Sequence, residues 1–113
     1  MARSKKTYQT KEKKIAYQLI IRQQAENNIS TAFDWYEEHR EGLGNEFLLS
    51  IEACFHILQR SPLIYRVRYL NTRAAILKRF PFLVYYLISD FSVVVLAVLH
   101  FKQNQKKYIK LSD

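Results

Sequence analysis

The sequence contains a single cysteine, Cys54, and only two glycines and two prolines in 113 residues. One cysteine excludes an internal disulfide, and no cluster of cysteines and histidines has the spacing of a zinc site. The scarcity of glycine and proline, with 49% hydrophobic and 14% aromatic residues, excludes a disordered chain. This length predicts one domain with a modest core, in which Cys54 is a small buried hydrophobe. We predict neither a metal nor a cofactor.

The longest hydrophobic run, residues 80–101, is long enough to resemble a membrane helix. Ser89 and Asp90 interrupt it near the middle, where a charge in lipid is costly, and β-branched and aromatic residues dominate on both sides. The run is therefore predicted to be a buried β-hairpin. The basic start of the chain leads into a strand-like run, unlike the leucine-rich centre of a signal peptide. We expect a cytoplasmic protein with no membrane partner.

Charge falls into three blocks along the chain, which has a formal net charge of +8. Residues 1–14 are basic, residues 23–59 are acidic, and the chain is basic again from Arg60 onward. A folded chain of this kind has an acidic side and a basic side, and the basic side should attract a polyanion or an acidic partner. We expect residues 1–14 to be a flexible leader, residues 15–102 the domain, and residues 103–113 a basic C-terminal tail.

Hydrophobic periodicity predicts a strand, two helices and then several strands. The first strand and helix occupy residues 15–22 and 23–40, and Gly42 stands where a C-cap glycine belongs. A second helix runs from about residue 45 to residue 60, before a proline. Strands are then predicted at residues 65–69, 73–80, 82–89 and 92–101. This order predicts an α+β fold, in which a two-helix hairpin packs on one face of an antiparallel sheet.

Several short motifs give the sequence a family resemblance. They are F-D-W-Y-E-E at 33–38, G-L-G-N-E-F at 42–47, S-P at 61–62, K-R-F-P-F-L-V-Y-Y at 78–86 and V-L-A-V-L-H at 95–100. Together they resemble the signature of ParE-like toxins of the RelE/ParE superfamily. The resemblance implies a β-α-α-β-β-β order, a toxin of a type II toxin–antitoxin pair, and a cognate antitoxin that wraps it in a hetero-oligomer. ParE relatives are associated with inhibition of DNA gyrase, and RelE relatives with mRNA cleavage on the ribosome.

A ribonuclease without metal needs a base, an acid and cations on the phosphate. RelE-type relatives place arginines at positions that fall, by resemblance, on the apolar Leu87 and just after His100, where only Lys102 is cationic. This departure favours a binding toxin with no catalytic residue. The alternative is a ribosome-dependent mRNA endonuclease that uses His100 with Arg73 or Arg79. A third interpretation is a family member that has lost toxicity but still binds DNA or antitoxin.

Cations and one aromatic residue are the candidates for contacts with a partner or target. Arg73 and Arg79 share parity, and therefore one face, on the predicted strand 73–80, with Lys78 on the other face. Tyr36 lies on the buried stripe of its helix, whereas Trp35 is one step away from it. An acidic antitoxin, contributing an amphipathic helix or an added strand, would match this surface. The alternative is edge-strand charge that keeps the protein soluble. The predicted contact residues are Arg66, Arg68, Arg73, Lys78, Arg79 and Trp35.

Overall fold

The computed structural model describes residues 16–103, so the predicted leader and the tail from residue 104 lie outside the described residues. The seven elements follow the order β-α-α-β-β-β-β, with one strand more than the resemblance implied. The predicted α+β fold with a helical hairpin is confirmed. The elements are β1 Gln18–Ile21, α1 Gln23–His39, α2 Leu43–Arg60, β2 Val67–Tyr69, β3 Thr72–Ile76, β4 Phe82–Ser89 and β5 Ser92–His100.

The five strands form one sheet in the order β1-β5-β4-β3-β2. Strands β2 to β5 pair antiparallel with their neighbours, as predicted, but β1 pairs parallel with β5. The sheet is therefore mixed and not purely antiparallel. The helical hairpin carries the chain from one edge of the sheet to the other, and the three reversals that follow bring β5 back beside β1 in the same direction.

The two helices cover one face of the sheet with apolar side chains at helical spacing. On α2 the buried positions include Phe47, Ile51 and Leu58 at helical spacing, together with both Cys54 and its neighbour Phe55. Burial raises the pKa of the Cys54 thiol to about 11, so the thiolate is rare at neutral pH and the residue is a packing group. Neither helix of residues 16–103 is long and apolar enough to cross a membrane.

The turn between the helices is built around the carboxylate of Glu37. Its two oxygens accept hydrogen bonds from the backbone N–H groups of Gly42 and Gly44, both at 2.9 Å. Gly42 has φ +90°, a left-handed conformation that glycine adopts without strain. A Cβ on Gly44 would lie 2.7 Å from the Phe33 ring and 2.9 Å from Glu37 Oε1. The two glycines of the G-L-G motif are therefore structural.

Aromatic rings fill the core between the helices and the sheet. Phe47 is fully buried, and its ring centroid lies 5.4 Å from Tyr36, 5.3 Å from Phe80 and 5.1 Å from Phe82. A second, smaller cluster lies on the opposite face of the sheet. Its buried members are Ala74, Leu83, Tyr85, Ala97 and Leu99.

The hairpin predicted within residues 80–101 is confirmed as β4 and β5, but the strand before it is shorter than predicted. Strand β3 ends at Ile76, whereas the prediction continued to residue 80. Arg79 has φ 76°, which no extended strand contains, so alternation of side chains stops before it. The predicted shared face of Arg73 and Arg79 is therefore wrong.

Candidate functional site

An open groove of about 590 Å³ lies between α1 and the sheet, at the start of β4 and the end of β5. The helix contributes Asn28, Trp35 and Tyr36 to its walls, and the sheet contributes Phe82, Val98 and His100 among others. Most of the wall surface is apolar, and Asn28, Thr31, His100 and Gln103 add polar side chains to it. A groove of this kind can hold the apolar side of a bound peptide or helix.

Trp35 stands in the wall of this groove with 55% of its surface exposed. Its ring lies 3.8 Å from the His39 ring, and the Nδ1–H of His39 donates to the carbonyl oxygen of Trp35 at 2.7 Å. Tyr36 packs its ring against the core, and burial raises the pKa of its hydroxyl. Trp35 is thus an exposed aromatic ring supported by its neighbours, which is typical of a residue that anchors a partner.

His100, the last residue of β5, is half-buried at the rim of the groove. Its Nδ1 accepts a hydrogen bond from the backbone N–H of Lys102 at 3.1 Å, and its ring makes an edge contact with Phe82 at 5.3 Å. The neutral ring therefore carries its proton on Nε2. The backbone N–H of His100 donates to Gln103 Oε1 at 2.8 Å. These bonds hold the imidazole at the end of a strand.

An extra residue in β5 determines which way His100 points. The consecutive residues Tyr85 and Tyr86 of β4 pair with β5 residues that are two apart, so Leu96 is a bulge. A bulge shifts the alternation of side chains by one position. Val98 belongs to the helix-covered core, and His100 lies on the same face against Phe82. The bulge therefore turns the imidazole toward the groove.

Arg73 holds a loop in place and lies far from His100. It sits on β3 opposite Tyr86, and its guanidinium donates to the carbonyl oxygen of Tyr65 at 2.6 Å. His100 lies on the other side of β4, opposite Phe82. Tyr86 and Phe82 are four residues apart on β4, which corresponds to about 13 Å along the strand. The two side chains therefore do not meet at one substrate atom.

Arg79 and Lys78 lie beside the start of α2. Arg79 donates to Glu46 at 2.9 Å, and Arg40 donates to the same carboxylate at 3.2 Å. The hydrogen bonds from Arg79 and Arg40 lower the pKa of Glu46. Lys78 is exposed, and its backbone carbonyl accepts a hydrogen bond from the Ser50 hydroxyl at 3.0 Å. Arg79 is thus engaged in a surface ion-pair network.

Arg66 and Arg68 are exposed at the edge of the sheet formed by β2. Burial raises the pKa of Tyr85, and the nearby Arg68 cation partly offsets this by lowering it. Tyr85 belongs to the cluster on the face opposite the helices, whereas His100 lies against Phe82 on the helix-covered face. The predicted contact residues are therefore distributed over separate parts of the surface.

Two polar residues that shape the site were not predicted from the sequence. Asn28 of α1 accepts a hydrogen bond from the backbone N–H of Val98 at 3.0 Å and thereby ties the helix to the strand beyond the bulge. Glu37 closes the turn between the helices. The position of Glu37 shortly before the predicted start of the second helix was a usable signal, since the first backbone N–H groups of a helix have no partner within the helix. Among residues 16–103, no three His, Cys, Asp or Glu side chains cluster to hold a metal ion.

The family profile of the ParE toxin of type II toxin–antitoxin system, parDE, matches residues 19–105. This chain belongs to the ParE toxin family. As a ParE-family member it is a toxin of a type II toxin–antitoxin system. A comparison of its sequence with curated proteins finds no match.

Two solved structures share the ParE-like fold of this chain. A chain of the chromosomal ParDE system from P. aeruginosa superposes with a TM-score of 0.67 at 16% identity, and the match covers 76% of this chain and 97% of that one. A chain of the toxin–antitoxin complex RelBE2 from Mycobacterium tuberculosis gives a TM-score of 0.55 at 21% identity, covering 75% and 98%. In this ParE-family chain Leu87, where the RelE resemblance implied an arginine, is half-buried opposite Val94.

Proposed function

We propose that this toxin acts by binding, without catalysis, and inhibits a cytosolic target such as DNA gyrase until a cognate antitoxin neutralises it. The observation that carries the proposal is the separation of the residues a ribonuclease would need. His100 points into the groove. Arg73 lies about 13 Å from His100 along β4 and donates to a loop carbonyl oxygen. Arg79 donates to Glu46. A developing phosphate charge requires cations preorganised around one point.

The groove supports the second half of the proposal, that an antitoxin binds this chain as a hetero-oligomeric partner. Its apolar walls and the exposed ring of Trp35 suit an amphipathic helix that buries one face. The residues that line the groove include no Lys, Arg, Asp or Glu, so the preference for an acidic partner comes from the long-range attraction of the formal net charge of +8. A short acidic reading frame adjacent to this one would encode the expected antitoxin.

The alternative function is a ribosome-dependent mRNA endonuclease. One observation favours it: His100 keeps its Nε2–H at the rim of an open groove, with the cationic Lys102 two residues away. Two assays on the same induced cells distinguish the functions. Impaired supercoiling with a DNA-damage response supports the binding toxin, whereas prompt cleavage of ribosome-bound transcripts supports the nuclease.

Replacing His100 with alanine is expected to leave growth arrest within about twofold of the wild type, because the imidazole has no catalytic role in the proposed mechanism. Under the nuclease alternative, loss of a general acid or base would reduce activity about 10²- to 10⁴-fold. The measurement is the count of surviving colonies after induction. His56→Ala, an exposed histidine of α2, is the control. A folded His100→Ala protein that no longer arrests growth would contradict the binding mechanism.

Replacing Trp35 with alanine is expected to weaken antitoxin binding about 30-fold, or about 2 kcal/mol, as for an aromatic interface anchor. Isothermal titration with the adjacent-frame protein measures the affinity. Trp35 is the sole tryptophan, so its fluorescence emission should also shift to shorter wavelength when the antitoxin covers it. Leu49→Ala changes an apolar residue of similar exposure, 64%, outside the groove and should bind normally. Equal affinities for both variants would refute antitoxin binding in the groove.

A further inference from the structure

The segment that connects α2 to β3, residues 60–70, presents an unusual concentration of exposed apolar side chains. Large side chains on a small soluble protein are normally exposed singly, and a contiguous group of them marks an interaction surface. Four occur here within eight residues. Their exposed fractions are 66% for Leu63, 57% for Ile64, 50% for Val67 and 62% for Leu70.

Two hydrogen bonds, one buried and one part-buried, fix this connecting segment to the sheet. The hydroxyl of Tyr86, a fully buried residue of β4, donates to the carbonyl oxygen of Pro62 at 2.6 Å. Arg73 donates to the carbonyl oxygen of Tyr65, also at 2.6 Å. Burial raises the pKa of Tyr86 to about 12, so this donor keeps its proton. A surface held in one conformation before binding loses less entropy when a partner docks.

Leu70 occupies its exposed position at a cost in backbone energy. It has φ 53° in the two-residue turn between the paired residues Tyr69 and Thr72. Glycine or asparagine is preferred at such a left-handed turn position, and a bulky side chain is strained there. Leu70 also recovers little burial within the chain, since 62% of it is exposed. A strained residue with an exposed apolar side chain is consistent with a contact outside the chain.

Cations alternate with these apolar side chains along the same segment. Arg60, Arg66 and Arg68 are exposed, and none of them forms an ion pair within residues 16–103. Residues 60–70 contain no aspartate or glutamate. The segment therefore complements a surface that is both apolar and acidic. The four exposed apolar side chains of the segment are aliphatic and offer no stacking platform for nucleic-acid bases, and its two aromatic rings, Tyr65 and Tyr69, are half-buried. These properties of residues 60–70 favour a protein partner over RNA.

The connecting segment lies at the opposite end of the sheet from the groove. The neighbouring β4–β5 turn exposes Phe91 by 77%, and its ring lies 6.3 Å from Tyr17. Tyr17 is in turn hydrogen bonded to Gln59, next to the start of the segment. The groove lies at the other end of β4, whose eight residues extend over about 23 Å. A partner in the groove and a partner on the segment can therefore occupy different surfaces.

We infer that the connecting segment is the docking surface for the acidic protein target of this toxin, separate from the groove that takes the antitoxin. This inference rests on the proposed function, because it requires a toxin that acts by binding. It assigns Arg73 and Tyr86 as positioning residues that hold the segment. Leu63, Ile64, Leu70, Arg66 and Arg68 make the contacts.

The test compares two paired variants with two matched controls. Leu63→Ser with Ile64→Ser removes apolar contacts, and its control is Leu49→Ser, a leucine of 64% exposure on α2. Arg66→Gln with Arg68→Gln removes two positive charges. Its control is Gln23→Glu with Asn45→Glu, which lowers net charge equally at exposed positions on the two helices. For each protein, survival after induction, thermal unfolding, co-purification with the adjacent-frame protein and inhibition of purified gyrase are measured.

Both segment variants are expected to raise survival at least 100-fold, while unfolding temperature and co-purification stay at wild-type values and the controls remain toxic. Segment variants that are as toxic as the wild type, or that lose the antitoxin in parallel, would overturn the inference. If the segment variants lose binding to phosphatidylglycerol vesicles and not binding to a protein, the segment binds a lipid surface and the inference is overturned.

The outcomes separate this inference from the proposed function. If the wild type arrests growth without inhibiting gyrase and the segment variants lose toxicity, gyrase is wrong and the docking surface stands. If the wild type arrests growth and inhibits gyrase, but the segment variants inhibit it equally, the docking surface alone is wrong. A wild-type chain that does not arrest growth refutes both.

Discussion

Replacing Phe47 with alanine is expected to lower the free energy of unfolding by about 3–5 kcal/mol, the cost of removing a buried phenyl ring and leaving a cavity. Phe47 is fully buried, and its ring contacts Tyr36, Phe80 and Phe82. Such a loss is a large fraction of the stability of a small domain. Urea unfolding measures it.

The Phe47 variant should also bind antitoxin more weakly, because Tyr36 and Phe82 are shared between the core and the groove wall. Leu49→Ala is the control from the same helix, and its exposed side chain should cost less than about 0.5 kcal/mol. A loss below about 1.5 kcal/mol at Phe47 would mean that the cavity collapses and that the aromatic core is looser than its ring distances indicate.

Replacing Glu37 with alanine is expected to lower the free energy of unfolding by about 2–3 kcal/mol, since two amides lose a charged acceptor. The affected N–H groups belong to Gly42 and Gly44, in a part-buried turn. Glu37→Gln keeps one acceptor oxygen and should lose about half as much. Thermal and urea unfolding of both variants test the prediction.

Glu38→Ala, at the exposed neighbouring position, is the control for the Glu37 variants and should be nearly neutral. If Glu37→Ala is also neutral, water replaces the carboxylate and the turn is held by other contacts. Glycine would then be required at position 42 only by its left-handed backbone, and at position 44 only because the Phe33 ring leaves no room for a Cβ.

The helical hairpin could be predicted because its signals are local. The spacing of Phe47, Ile51, Cys54 and Leu58 defines a helical stripe directly, and the structure buries all four. The β4–β5 hairpin was equally readable from its β-branched runs and the interruption at Asp90. The parallel pairing of β1 could not be predicted from such patterns, because it depends on how the whole chain returns across the sheet.

The site was less predictable because charge in a sequence does not specify its partner. Arg73 and Arg79 were both expected at a binding surface, yet one donates to a loop carbonyl and the other to Glu46. Arg79 has a left-handed backbone conformation that cannot belong to a strand, and no pattern of side chains in the sequence predicts it. Trp35, in contrast, stood one position off a clear helical stripe, and its exposure followed from that geometry.

The bulge at Leu96 affects how relatives of this protein should be compared. Every residue from 93 to 99 is apolar and buried, so nothing in the run V-V-V-L-A-V-L marks the inserted position. An alignment that treats this strand as regular would equate positions whose side chains project in opposite directions. A role assigned to a histidine at the end of this strand by sequence alignment can therefore be transferred only between proteins that share the bulge. Superposition of the backbones compares these positions correctly.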